Sequence, residues 1–444
     1  MKGVFPKRLR AKMRALTLRT TPQGLTRRQR RNFFSVQMDA LGVGFIMAVH
    51  PFLAVFLTRL GATNFQVGLL SSIPGFAGLA LSLLVGRFLQ GRPNVVPWYS
   101  GARFLRLIVY VFMGIASMLL PQHYAVIALL SLWALASLPM AMLSIAFSVV
   151  MNAVAGSKGR YALMSRRWAT IGFTAGIINL IVGQILNRVQ FPLNYELSFI
   201  GFSLVGAFIS LSFSRRIELP PNEPPVREAS DGPPIQGIRS QIGQIWQERA
   251  FVSMVAKRSL YVLGSQLAIP LFALYYVREL GANDAWISVF QTTQRMSLLV
   301  GYGLWTRVRH TKGSRFILLA TTLMMSLYPA FTSQAGSVGV MTALSAMAGF
   351  FQAGLNLVLF DELMKTVPPE QSATFIAVEK SLQHLLAIVG PMISTSLSGM
   401  IGLGGALLLG ALVRFMGFVS FLLGKEGRRP VPEPAASGAK AEGS

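Results

Sequence analysis

The chain has 444 residues, of which 52% are apolar and 13% charged, and it carries a formal net charge of +25 with no cysteine. Soluble domains hold about 25% charged residues, so this composition excludes an ordinary soluble globule and indicates a polytopic membrane protein. The basic residues lie between apolar runs, where they set orientation rather than bind nucleic acid, and the lack of cysteine excludes disulfides, thiol catalysis and Cys-ligated metals.

Residues 1–31 hold eleven Lys or Arg and no acid, with Phe5, Leu9, Met13 and Leu16 at helical spacing between them. Such a segment can lie on an anionic leaflet. We read 1–32 as a basic cytoplasmic tail, although an Arg-rich, acid-free start also resembles an organelle transit peptide. Beyond it, apolar runs of bilayer-crossing length predict spans at 33–57, 66–88, 104–120, 124–150, 162–185 and 191–213. Six more are expected at 252–276, 286–305, 316–331, 338–360, 373–397 and 403–423. The polar connection at 214–250 is rich in Pro, Glu and Arg and reads as a cytoplasmic linker; Ile238, Ile242, Ile245 and Trp246 at its end form a stripe suited to the membrane surface. The tail at 424–444 is Pro-, Ala- and Gly-rich and is expected to be disordered.

The spans fall into two similar sets. Leu60-Gly61-Ala62 recurs as Leu280-Gly281-Ala282, Arg307 follows Arg87 at the same separation, and Gly101-Ala102-Arg103-Phe104-Leu105 returns as Gly313-Ser314-Arg315-Phe316-Ile317. Duplication of a six-span unit accounts for this. The expected fold is therefore an all-α membrane protein of twelve transmembrane helices in two pseudo-symmetric halves, 33–213 and 251–423. Arg59, Arg188 and Arg278 are the only basic residues on the side reached after odd-numbered spans, so the positive-inside rule puts both termini in the cytoplasm.

Two six-helix halves, cytoplasmic termini and a long central cytoplasmic loop resemble the major facilitator superfamily of secondary transporters, over residues 33–423. The family carries a signature after the second span of each half: a Gly, an acid and several basic residues that latch the cytoplasmic side. Here the two copies read Gly86-Arg87-Phe88-Leu89-Gln90-Gly91-Arg92 and Arg307-Val308-Arg309-His310-Thr311-Lys312-Gly313. The basic residues Arg87, Arg92, Arg307 and Arg309 are there to form a cytoplasmic gate, while Gln90 stands near where the family prefers Asp.

An ionised side chain at mid-bilayer costs about 2.5–3.5 kcal/mol on insertion scales, so each one needs a reason. Arg295 is central in the eighth span beside Gln291 and Gln294 and reads either as a cavity-lining cation for an anionic or carbonyl-bearing solute, or as a structural Arg bonded to helix carbonyls. In the tenth span Ser345, Gly349, Gln352 and Asn356 share a stripe. The resemblance implies that this span lines the central cavity, so Gln352 and Asn356 would meet solute, with Tyr261 of the seventh span a further candidate; interhelical bonding is the alternative. Acids placed clearly within spans are Asp39, which shares a face with His50, and Glu379, which stands near Lys380, Gln383 and His384. These clusters could carry a coupling proton, or Asp39 could pair with a basic loop residue. His50-Pro51 also marks a helix kink. Arg414 is central in the twelfth span, which the resemblance places at the periphery, where snorkelling or a contact with a neighbouring span would account for it.

No P-loop, zinc spacing or Ser/His/Asp set occurs, so neither enzyme activity nor a cofactor or metal is expected. The function expected is alternating-access transport of a small solute, with H+ or another ion as a coupling partner, by a monomer in a bacterial-type inner (plasma) membrane. A non-transporting receptor or scaffold and a lipid flippase on the same fold are the rival readings.

Overall fold

The computed structural model describes residues 26–90, 92, 94–219, 246–367 and 372–424. The amino-terminal segment, most of the linker with Ile238, Ile242 and Ile245, and the tail beyond Gly424 lie outside the described residues, as do the expectations made for them. The described secondary structure is α-helical: α1 Arg27–Val49, α2 Pro51–Arg59, α3 Asn64–Gln90, α4 Val96–Leu119, α5 Gln122–Arg188, α6 Leu193–Ser214, α7 Arg249–Arg278, α8 Asp284–Ser333, α9 Val338–Thr366 and α10 Ser372–Leu423.

Local sequence explains where these helices begin, break and end. Helix α1 starts six residues before the expected span, because Thr26 and Gln29 form a capping box ahead of it. It stops at His50, since Pro51 has no N–H to continue the ladder and instead occupies the first position of α2. At a rise of about 1.5 Å per residue, α5, α8 and α10 are each far longer than the ~30 Å hydrocarbon core. Within α5, Gln122–Met151 and Arg166–Arg188 are separately apolar enough to cross it. Helices α8 and α10 leave helical geometry at Gly313 (φ 77°, ψ 172°) and Gly402 (φ 74°, ψ 167°). Among the described residues, ten apolar helical stretches are long enough to span a membrane.

Large apolar side chains cover the outside: Leu135, Phe173 and Phe208 are about two-thirds exposed and Met400 is 83% exposed. Such a surface suits lipid rather than water. This is an integral, multi-pass membrane protein.

Helices α1–α6 pack among themselves, and so do α7–α10; the two groups meet where α3 packs on α10, α5 on α8, and α2 on α7. Small residues permit the close approaches. A Cβ added to Gly349 of α9 would fall 1.9 Å from the carbonyl oxygen of Gln294 on α8, so those two backbones touch.

Candidate functional site

The duplicated Leu-Gly-Ala turns come together at one end of the molecule. Gly61 (φ 84°) and Gly281 (φ 60°) adopt the left-handed conformation that ends a helix without steric cost, so each following alanine turns its N–H back onto the helix. The alanine carbonyls then point at the opposite copy. Arg59 Nη2 donates to the Ala282 carbonyl (3.0 Å) and Arg278 Nη2 to the Ala62 carbonyl (2.6 Å). Arg59 also donates to Asp284 Oδ1 (2.9 Å), and Arg278 donates to Asn64 Oδ1, the counterpart of Asp284 in the other repeat. Tyr195, stacked on Phe56 (4.8 Å), gives its hydroxyl proton to the same Asp284 oxygen (2.6 Å). The result is a reciprocal clasp that locks α2–α3 to α7–α8. The repeat was visible in sequence; that its two copies grip each other was not.

Below the clasp, Asn64 donates to Ser398, Ser72 to the Ile388 carbonyl, and Asn179 to Thr292 and the Ser288 carbonyl. His384 packs against Gly75 and Gly78 of α3. At the depth of the α1–α2 break, Arg295 Nη2 reaches across from α8 to the Met47 carbonyl. That carbonyl is the one freed by Pro51, whose missing N–H would otherwise have bonded it. The other terminal nitrogen of Arg295, Nη1, is buried without a partner. His50 Nδ1 shares a hydrogen bond with Tyr110 (2.8 Å), and its ring stacks on Trp133 (5.4 Å). Arg106 of α4, which has no counterpart among the residues singled out in the sequence, also has a buried and unpartnered Nε. Gln291 and Gln294 are half-buried on α8 beside this cluster.

Asp39 is fully buried further along α1. It accepts from Tyr99 (2.9 Å) and Ser210 and lies between Arg103 (3.5 Å) and Arg167 (3.4 Å). Its partners come from helices α4, α5 and α6; Arg103, expected just before the third span, lies inside α4, which begins at Val96, and residues distant in sequence meet only because the bundle closes. The second group repeats the arrangement with signs exchanged. Arg258 of α7 meets the buried Glu379 of α10 (3.2 Å), which also accepts from Gln383, and Lys380 stands at 3.9 Å. Glu379 follows Arg167 by the separation that relates Gly313 to Gly101, so the carboxylate has moved from one helix of the pair to the other.

Three predicted residues line one cavity. Tyr261, Gln352 and Asn356 face a space of about 330 Å³ between α7, α9 and α10, shared with Arg258, Ser265, Gln383 and Arg414. Gln352 donates to Asn356 (2.7 Å), and Asn356 to the Tyr302 hydroxyl (3.0 Å). Arg414 does not snorkel: it is 3% exposed and lies over the Tyr261 ring at 4.8 Å. Arg295 is not among the cavity's lining residues, which separates it from Gln352 and Asn356.

At the end opposite the clasp, the ion pairs among the described residues stay within each group. Arg309 meets Asp361 (2.9 Å), and Lys365 bridges Asp361 (3.1 Å) and Glu362 (2.5 Å), so acids from the end of α9 serve the second signature loop. Arg31 pairs with Glu218. Arg92 lies over the rings of Phe88 (4.5 Å) and Trp98 (5.2 Å), and Arg307 is exposed; the Arg87 side chain is outside the described residues. Among the described residues no group of three His, Cys, Asp or Glu is arranged to hold a metal.

This helical fold is shared with solved structures of transporters. The chain is similar to the nucleoside transporter NupG, in a mutant form, at TM-score 0.65 and 12% identity, covering 87% of this chain and 98% of that one. It is also similar to a bacterial homologue of the human lysosomal transporter Spinster, in an inward-facing, unoccupied conformation, at TM-score 0.63 and 14% identity, covering 90% and 96%. No family model and no curated protein matches the sequence.

Proposed function

We propose that the protein is a secondary transporter that moves a small solute by alternating access. In this reading twelve spans form two six-helix bundles, 33–213 and 251–423, because the breaks at Gly313 and Gly402 divide α8 and α10 into two crossings each. The clasp faces the outside, and both termini are cytoplasmic. One observation carries the proposal: the two groups of helices are bonded to each other from the clasp down to Arg295, whereas Arg31, Arg309 and Lys365 at the opposite end pair within their own group. A molecule held in that way is closed on one face, and releasing the clasp while the other ends draw together would reverse its access. The similarity to NupG and the Spinster homologue supports transport as the use of the fold.

The moving parts follow from the site. Arg295 and the clasp hold the halves in the inward-facing arrangement, and Arg87, Arg92, Arg307 and Arg309 would meet across the cytoplasmic face in the other. The solute enters the cavity of Tyr261, Gln352 and Asn356, with Gln291 and Gln294 on the neighbouring helix. Asp39, His50, Glu379 and His384 are the groups that a coupling proton would use. The test is flux of a labelled solute panel into proteoliposomes. Accumulation that ends when ion gradients are collapsed is the expected result. Saturable binding with no flux of any panel member would replace transport by a receptor role, and movement of labelled lipid alone by a flippase.

A further inference from the structure

The cavity between α7, α9 and α10 holds more positive charge than the residues around it balance. Arg258 and Arg414 both line it, and each has a buried Nε without a hydrogen-bond partner. The neighbouring carboxylate, Glu379, is not among the lining residues; its Oε1 meets Arg258 at 3.2 Å and Gln383, and its Oε2 is buried with only Lys380 nearby at 3.9 Å, so one acid stands against Arg258, Arg414 and Lys380. Arg414 has no carboxylate of its own: it leans on Tyr261, with a cation–π contact at 4.8 Å, and its Nε is buried without an acceptor. A guanidinium buried in a membrane bundle without a counter-charge is costly, and a transient anionic ligand is the way to offset that cost without a permanent acid. Around the two arginines stand the amides of Gln352, Asn356 and Gln383 and the hydroxyl of Ser265, which fit hydroxyl or carbonyl groups on the same ligand.

We propose that this cavity binds a small organic oxyanion, its carboxylate or phosphate seated on Arg414 and its neutral polar groups on Gln352 and Asn356. A volume of about 330 Å³ lies at the small end of ligand pockets, which excludes a whole lipid but admits a compact solute or a single headgroup. The inference rests on the transport reading for how the ligand comes and goes; occupancy itself is an equilibrium property and is measured without flux.

The experiment uses the full chain in phosphatidylcholine nanodiscs, with lactate, benzoate and glycerol phosphate as probes and their neutral analogues, lactamide, benzamide and glycerol, as controls. Saturable binding of at least one oxyanion, at least tenfold tighter than its neutral analogue, is expected. Arg414→Gln should weaken it at least tenfold, with Arg414→Lys restoring part of the loss. Asn356→Asp keeps the arginine and places a carboxylate in its cavity, so it should abolish binding even if Arg414→Gln does not fold. Adding phosphatidylglycerol distinguishes the ligand's source: a solute site keeps its affinity, whereas a headgroup site shows competition that grows with the phosphatidylglycerol content. Oxyanions that bind no better than the neutral probes, or equally well to Asn356→Asp, would overturn the inference. Flux of a solute with no oxyanion binding would sink this inference alone, whereas oxyanion binding without flux would sink only the transport reading.

Discussion

Replacing Asp284 by Asn should open the clasped face. Asp284 Oδ1 accepts from Arg59 Nε at 2.9 Å and from the Tyr195 hydroxyl at 2.6 Å, and Arg59 Nη2 stands 2.8 Å away as part of the ion pair. The side chains of Arg59 and Asp284 are 27% and 9% exposed, so solvent screens the pair only in part. Hydrogen bonds to charged groups contribute about 1.5–3 kcal/mol each, and partial exposure reduces that, so loss of the charge should destabilise the clasped state by about 2 kcal/mol. That energy corresponds to about a thirtyfold shift in the ratio of clasped to open molecules. Because the chain has no cysteine, a single Ser288→Cys substitution, at a buried position beneath the clasp, gives a background-free reporter. Its labelling by an impermeant maleimide from the clasp side should rise by about the same factor on Asp284→Asn, provided opening is fast relative to labelling. Labelling no faster in the double variant than in Ser288→Cys alone would refute the assignment of the clasp as a gate.

Asp39→Asn leaves Arg103 and Arg167 buried with no carboxylate and should destabilise the protein by about 3–5 kcal/mol, read as an earlier loss of monodisperse protein on heating. Asp361→Asn, at a pair whose arginine is 55% exposed, should change the same measurement by less than about 1 kcal/mol. Arg295→Gln should cost about 1–3 kcal/mol by orphaning the Met47 carbonyl, and much less in a Pro51→Ala background, where residue 51 regains the N–H that caps it. Additive effects of the two substitutions in a double-mutant cycle would show that they do not act on the same carbonyl.

The membrane class, the helical elements and the internal duplication were legible in sequence because each is written in a local signal: apolar run length, Gly-Ala turns, proline-broken spacing. Asp39, Arg295 and Glu379 also stood out, since a charge inside an apolar run is conspicuous whatever its partner. Arg106 and Glu196 did not, the first because it follows so closely on Arg103 at the start of its span and the second because it sits in the first turn of α6; both are held inside the bundle, with polar atoms left unpartnered. What those charges meet depends on which helix faces lie together, and side-chain periodicity says which face a residue is on without naming its neighbour. Thus the chain alone determined that Leu60-Gly61-Ala62 and Leu280-Gly281-Ala282 are copies. Only the tertiary structure decided that Arg59 reaches Ala282 while Arg278 reaches Ala62, that Arg295 caps the carbonyl Pro51 sets free, and that Arg414 turns inward to a cavity. Those pairings join residues far apart along the chain, and their energies exist only once the helices have packed.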